Sequence, residues 1–515
     1  MPQAVPARSQ DLTIPVDVRI GILGHWDAEQ EPQLAASVQS IIRELDAMLD
    51  RSQPSYTLAQ GLADGADRLM PAADRNQSPS VTHAAGRVAT ALRHFLRSFK
   101  TERSKQQFRA MFDAAKGDAA PNPDRARGQQ AIRDCSVLIA IWNRDQVFDQ
   151  ASAAPLIAYA LESAGRTVYW IDPASGKIKC YENDDGFIDC IWHLNAYNAE
   201  RVRPEQIAAG VRDRTETLEA LAYQCQLQPG TLEPLERRVI PHFVRASRLA
   251  VFWQNWHVAA GFFIYGMAAV AVANATMVSL FGWGRPWIFA EVGEMGAILL
   301  VVGVSEFWEW LRRWIDYRFL AERLRASVFL FVAGLACEAP SSDQPVSWMV
   351  RALDSIRDCS LRALVPADLR AVTQFIQQGW ILNQRQYYDQ RSREFENKHR
   401  LLAGAGVALF LATAIAALLH ALHSFHDERL IEAAATILPA GGAAVAGFRA
   451  FREYNRTSLQ YAAMKKSLGR LAADMDKINT PQALIQLLQD ADHAIIREHQ
   501  GWRFLVDVHE PRETI

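Results

Sequence analysis

Residues 258–280 read VAAGFFIYGMAAVAVANATMVSL and residues 401–425 read LLAGAGVALFLATAIAALLHALHSF; neither stretch holds an ionised side chain. A hydrocarbon core of about 30 Å is crossed by a helix of about 20 apolar residues, so each stretch is long enough to span it. Two further segments are candidates. Ile288 to Trp310 is interrupted by Glu291, Glu294 and Glu306, and Ile431 to Phe448 carries Pro439 and Gly441-Gly442 near its centre. The turn Gly282-Trp283-Gly284 makes the second segment the return arm of the first, and the fourth pairs with the third in the same way. The expected membrane half is therefore all-α, with four transmembrane helices in two hairpins.

Basic residues orient it. Arg237, Arg238, Arg245 and Arg248 precede the first span, Arg312, Arg313 and Arg318 follow the second, Arg391, Arg393, Lys398 and Arg400 precede the third, and Arg449, Arg452 and Arg456 follow the fourth. Each connection inside a hairpin carries a single arginine, Arg285 or Arg429. The positive-inside rule then places both termini and the middle segment in the cytoplasm.

Average composition hides this segregation, because 515 residues with 22% charged and a net charge of -2 resemble an ordinary soluble protein. Near-neutral charge gives no electrostatic footprint for nucleic acid. Six cysteines, Cys135, Cys180, Cys190, Cys225, Cys337 and Cys359, lack the close pairing of zinc or redox motifs and read as reduced thiols, with no metal site expected. Polar residues up to Asp11 leave no secretory h-region, which keeps the N-terminal domain in the cytosol.

The first 200 residues alternate apolar strands, glycine-rich turns and polar helices, the pattern of a parallel-sheet α/β domain. Val16 to His25 is a strand ending in a glycine turn, where Gly21 and Gly24 admit a ligand phosphate. Leu58 to Leu69 is a second strand entering a turn with Gly61, Asp64, Gly65, Asp67 and Arg68. Further strands are expected at Val88 to Leu92, Ser136 to Trp142 and Thr167 to Ile171, the last two joined by a helix from Ala153 to Ala164 in a right-handed crossover. Glycine turns at adjacent strand ends form the crevice in which open α/β sheets bind nucleotides.

Ile20-Gly-Ile-Leu-Gly-His25, Gly61-Leu-Ala-Asp-Gly-Ala-Asp-Arg68 and Val137-Leu-Ile-Ala-Ile-Trp142 together resemble the SLOG superfamily, a Rossmann-like group of nucleotide-handling and ligand-sensing domains. The resemblance covers Asp17 to Asp172 and implies a pocket of Gly21, Gly24 and His25 on one side, Gly61, Asp64, Gly65, Asp67 and Arg68 on the other, and Asn143 from a third. Catalytic members carry a Pro-Gly-Gly-x-Gly-Thr-x-x-Glu loop. Here Asn143 to Pro155 holds no glycine pair, and Glu162 lies too far along for the motif. Ligand sensing is favoured over hydrolysis, no catalytic residue is assigned, and the only small molecule implied is a nucleotide-derived signal. The local alternatives stay open: His25 caps its own turn, Asp64 and Asp67 cap the following helix, and Arg68 pairs with one of them.

The exit segments Tyr317 to Ser327 and Ser458 to Ser467 are both amphipathic and basic, and Ala260-Gly261 and Ala403-Gly404 open the two hairpins, a repeat at an offset of about 140 residues. Ala371 to Arg400 reads as one long helix entering the third span. Glu291 and Glu294, one turn apart, either face a bundle interior as pore-facing carboxylates or lie at headgroup level. Trp308, Trp310 and Trp314 suit an interfacial belt, and Gly404, Ala408 and Ala412 suit close helix packing.

Over Arg237 to Asp476 this arrangement resembles, as two units, the SLATT family of bacterial membrane effectors, in which a two-span hairpin is followed by a cytosolic helix. The domain expectation is residues 1–200 as sensor, 201–250 as linker, 251–345 as first hairpin with exit helix, 346–400 as cytosolic connection, 401–476 as second hairpin, and 477–515 as tail. The resemblances imply an inner-membrane effector in anti-phage or conflict defence that oligomerises with itself and perforates or disrupts the bilayer. A membrane-anchored nucleosidase or phosphoribohydrolase and a ligand-gated ion channel of ordinary physiology are the alternatives.

Overall fold

The computed structural model describes residues 12–24, 30–52, 54–58, 129, 132–133, 135–141, 153–162, 166–182, 186–335, 347–357, 368–422 and 428–491. The chain divides into two units, Met1–Arg201 with Cys337–Leu361, and Val202–Ala336 with Arg362–Ile515.

The first unit is built on a mixed five-stranded sheet in the order β2-β1-β3-β4-β5. Its strands are β1 (Val16–Gly24), β2 (Pro54–Leu58), β3 (Val137–Ile141), β4 (Thr167–Ile171) and β5 (Ile178–Tyr181). The first four are parallel, and β5 closes the edge antiparallel to β4. β3 and β4 are buried at every position, which is why they read as unbroken apolar runs. β1 begins by alternating, with Val16 and Val18 inward and Asp17 outward, and is buried continuously from Ile20 to Leu23. The edge strand β5 is half exposed and carries Lys179, a residue that discourages pairing with another chain.

Helices α1 (Glu31–Met48), α2 (Ala153–Glu162) and α3 (Phe187–Ala199) belong to this unit. α1 buries Leu34, Val38, Ile41, Ile42 and Leu45 on the i, i+3, i+4 stripe of an amphipathic helix. α2 lies between β3 and β4 in sequence, as a parallel pair requires. Glu182 receives hydrogen bonds from Thr167 Oγ1 at 2.5 Å and from the Ile188 amide at 2.6 Å, so a carboxyl sits at the N-terminus of α3, where the helix dipole favours an anion. Burial nevertheless pushes its pKa above the ordinary carboxylate value, against those two hydrogen bonds.

A helix from far along the chain completes the unit. α8 (Trp348–Arg357) packs on α3, with Trp348 against Tyr197 at 5.4 Å between ring centroids and the Arg351 guanidinium 4.7 Å from the centre of the Phe187 ring. The segment between the two membrane halves thus returns to the sheet unit, where a plain cytosolic connection is the sequence-based expectation.

The second unit contains α4 (Pro204–Gln224), α5 (Glu233–Phe281), α6 (Arg285–Phe307), α7 (Trp310–Val332), α9 (Leu369–Ile376), a π-helical turn (Gln377–Leu382), α10 (Asn383–Ala421), α11 (Glu428–Phe451) and α12 (Tyr454–Met475). Four stretches within them are long and apolar enough to cross a membrane. α5 ends at Gly282, whose φ of 68° belongs to the left-handed region and stops the helix; Gly284 and Pro286 then start α6. α5 packs against α6, α7 and α11, while α10 packs against α11 and α12.

The second apolar segment ends at Phe307 instead of Trp310, because Glu309 adopts φ 49° and ψ 46°. Glu453 does the same after α11, at φ 43° and ψ 36°. A left-handed conformation costs a side-chain-bearing residue about 1–2 kcal/mol. Each glutamate is also close to an arginine three residues on, Arg312 at 3.6 Å and Arg456 at 3.7 Å. The two breaks lie 144 residues apart and share the pattern Phe-x-Glu-aromatic-x-Arg, Phe307 to Arg312 and Phe451 to Arg456. In this register Trp310, Tyr317, Leu324 and Phe331 of α7 correspond to Tyr454, Tyr461, Leu468 and Met475 of α12, and all eight are buried at a spacing of seven. The repeat expected from the basic exit segments is therefore present, with its register corrected by three residues, since Tyr317 matches Tyr461 and not Ser458.

Trp310 also departs from the interfacial-belt reading. It is buried against Trp256 with ring centroids 5.5 Å apart, whereas Trp308 stays half exposed beside Trp253. The long helix expected from Ala371 to Arg400 is real but passes through the π turn, where Trp380 is buried and stacks on Phe329 at 5.7 Å.

Candidate functional site

The strand order reverses at β1, which has β2 on one side and β3 on the other. In open parallel sheets ligands bind outside the carboxyl ends of the two strands flanking such a reversal. Those ends are Gly24 on β1 and Ile141 on β3, directly paired in the ladder. Gly24 has φ 144°, and a Cβ there would collide with the Ile141 carbonyl oxygen. Only glycine permits this approach of two strand ends. Gly21 lies within β1, buried and paired with Leu138, three residues before the strand end. His25, Gly61, Asp64, Gly65, Asp67, Arg68 and Asn143 lie outside the described residues, as does the strand expected at Val88 to Leu92. β2 ends at Leu58, where the glycine-rich segment begins.

The second candidate lies among the apolar helices. Asn274 on α5 is buried and donates from Nδ2 to the Trp287 carbonyl oxygen at 3.1 Å, with Glu294 Oε1 of α6 at 3.5 Å. Two acceptors around Nδ2 fix the amide orientation, which leaves Asn274 Oδ1 and Glu294 Oε2 buried without a hydrogen-bond partner. Glu294 is nine residues into α6, about 13 Å along the helix axis from Arg285. A carboxyl so deep in a spanning helix is costly unless it faces protein, and here it faces Asn274. Glu291, one turn earlier, is half buried. Asn274 did not stand out in the sequence, because one amide in a 23-residue apolar run carries no signal until its partner helix is known. Among the described residues no cluster of histidine, cysteine and carboxylate side chains has the makings of a metal site.

The two apolar halves meet along α5 and α11. The Phe451 ring fills the space where a Cβ of Gly261 would stand, and the Tyr265 ring does so at Gly447, where a Cβ would lie 2.5 Å from ring carbon Cε1. Phe262 stacks on Phe448 at 3.8 Å and His257 on Phe451 at 4.9 Å. In a bilayer, where lipid is as apolar as leucine, such close approach of glycine-bearing helices is what holds them together.

Residues 378–502 match the sequence family described as the SMODS and SLOG-associating 2TM effector domain 1, abbreviated SLATT_1. The match begins in the π turn, takes in α10, α11 and α12, and covers about a quarter of the chain. It lies wholly outside the sheet unit and on the second of the two repeats. No curated protein matches the chain.

Proposed function

We propose that this chain is a multi-pass membrane effector of bacterial conflict defence, in which α5 with α6 and α10 with α11 form two transmembrane hairpins and the Rossmann-like sheet unit senses a nucleotide-derived ligand. One observation carries the reading: the segment similar to a two-span effector domain, α10 to α12, is duplicated in architecture by α5 to α7, down to the left-handed glutamate that ends each pair of apolar helices. A chain with two such units has the material for membrane disruption by self-assembly. The N-terminal ends of α6 and α11, which carry Arg285 and Arg429, face outward, and both termini are cytosolic in the inner membrane.

The sensing role rests on the strand-order reversal and the glycine-enforced closeness of β1 and β3. His25, Gly61, Asp64, Gly65, Asp67, Arg68 and Asn143 would complete the pocket around Gly21 and Gly24. A ligand acts on the spans only through a difference in affinity between two packings of the chain.

The test is full-length protein in dye-loaded liposomes, challenged with a panel of cyclic nucleotides and ADP-ribose derivatives. A compound that binds should release the dye. Tight binding with neither leakage nor a change in membrane potential would overturn the effector reading.

A further inference from the structure

The second repeat leaves two cations without a partner where α11 ends. Arg449 stands twenty residues beyond Arg429 on α11, about 30 Å along the helix axis, which is the thickness of a hydrocarbon core. Arg452 follows three residues on, and its amide still bonds the Phe448 carbonyl oxygen at 3.0 Å, so the two guanidinium groups rise from neighbouring positions of one helical turn. Arg452 rests on the Tyr454 ring, with Cζ 5.5 Å from its centre, and its Nε has no hydrogen-bond partner among the described residues. Among the described residues neither arginine forms an ion pair.

The carboxylates at this height are already engaged. Leu409 of α10 lies beside Gly441 and Gly442 of α11, and Phe395 of α10 lies against Tyr454 at 5.5 Å between ring centroids, so Arg400 and Lys398 stand level with Arg449 and Arg452. Glu396 holds Arg400, Glu394 holds Lys398 at 2.6 Å and Arg391 at 2.7 Å, and Glu453 holds Arg456 at 3.7 Å. These cations are matched, and Arg449 and Arg452 are the surplus. In the 144-residue register the corresponding positions of the first repeat are Ser305 and Trp308, with Glu306 between them. There Arg312 is held by Glu309 at 3.6 Å and the Arg313 guanidinium stands 4.9 Å from the centre of the Trp253 ring, so the unmatched pair is peculiar to the second repeat.

We infer that Arg449 and Arg452 together bind the phosphate of an anionic phospholipid in the cytoplasmic leaflet, and that the second repeat alone carries this site. Guanidinium groups donate to phosphate oxygens through paired N–H bonds, and two unmatched positive charges side by side call for an anion. The depth along α11 selects the source. One core thickness beyond Arg429 lies the headgroup layer of the opposite leaflet, where phosphate belongs to lipid and the surface potential draws cations. The inference rests on the reading of α11 as a membrane span with its C-terminal end in the cytoplasm.

Full-length protein in detergent micelles, offered equal amounts of phosphatidylglycerol and phosphatidylcholine, tests it by mass spectrometry of the intact complexes. The parent should retain phosphatidylglycerol about tenfold over phosphatidylcholine. Arg449→Gln with Arg452→Gln should abolish the preference, whereas Lys398→Gln with Arg400→Gln, which removes the same charge at the same height, should keep it. Arg449→Lys with Arg452→Lys should keep most of it, since lysine retains the charge, and so separates loss of the site from loss of the fold. No preference in the parent, or equal loss in the two glutamine double variants, would overturn the inference. Displacement of the lipid by inorganic phosphate would overturn it too, because the site would then be one for a soluble anion. Extraction of the parent from membranes by carbonate at high pH is a different failure, which would remove the span reading and the site with it. Dye release is not the readout, so loss of the lipid preference alone leaves the effector reading standing.

Discussion

Gly261 and Phe451 occupy one volume between them: the ring of the second fills the place that a side chain on the first would take. Gly261→Val should therefore force α5 and α11 apart at an overpacking cost of about 1–3 kcal/mol. Gly266, five residues on, has nothing within 4 Å, and Gly266→Val should leave stability within about 0.5 kcal/mol of the parent. Thermal unfolding of the two variants in micelles separates the cases, and equal midpoints would contradict the packing described.

Gly24→Ala should damage the sheet unit without touching the spans. Both the positive φ and the Ile141 carbonyl oppose a Cβ, so a loss of about 1–3 kcal/mol is expected. Hydrogen exchange of peptides covering Val137–Ile141 should accelerate while exchange within α10 stays unchanged.

Glu182 gives the sheet unit a pH dependence whose sign follows from its raised pKa. A carboxyl whose folded pKa lies above the unfolded value stabilises the fold fully below the unfolded pKa and loses that contribution as pH rises through the folded one. Glu182→Gln keeps an oxygen for Thr167 and Ile188 but carries no charge. Protection of the Phe187–Ala199 amides should then fall less steeply from pH 4.5 towards neutrality in the variant than in the parent. Parallel profiles would show that Glu182 is not the group responsible.

Between the apolar helices, Asn274→Leu should cost more than Glu294→Gln. Leucine leaves the Glu294 carboxyl facing hydrocarbon, whereas glutamine still accepts from Asn274 Nδ2. The Asn274→Leu penalty is expected at about 1–2 kcal/mol. Unfolding in nanodiscs measures it, and equal stability of the two variants would remove the pair from the packing of α5 on α6.

Much of this architecture was legible wherever burial constrains every residue. Thr167–Ile171 is a strand as read, and the strand Val137–Ile141 falls within the reading of Ser136 to Trp142. β5 escaped because four residues, Ile-Lys-Cys-Tyr, show neither alternation nor an apolar run. The repeat was visible, but its register was misjudged from surface charge. Basic residues on an exit helix can shift by a turn at little cost, whereas Tyr317 and Tyr461 are held by the core. Of the candidate crevice, the Gly24 requirement was legible in principle, since a glycine at a strand end marks close backbone approach. Its partner strand was not, because pairing with Ile141 joins positions more than a hundred residues apart.

The placement of α8 bears on how the protein can be taken apart. The chain passes from one unit to the other at residues 201–202, 336–337 and 361–362, so the sheet unit is assembled from two separate stretches of sequence. Removing the first 200 residues would strip Tyr197 and Phe187 from α8 and leave the Trp348 face bare on the truncated remainder. A chimera that grafts a foreign domain in place of the sheet unit would need to bring its own counterpart of residues 348–357. A single protease cut near residue 201 should likewise nick the chain without releasing the sheet unit.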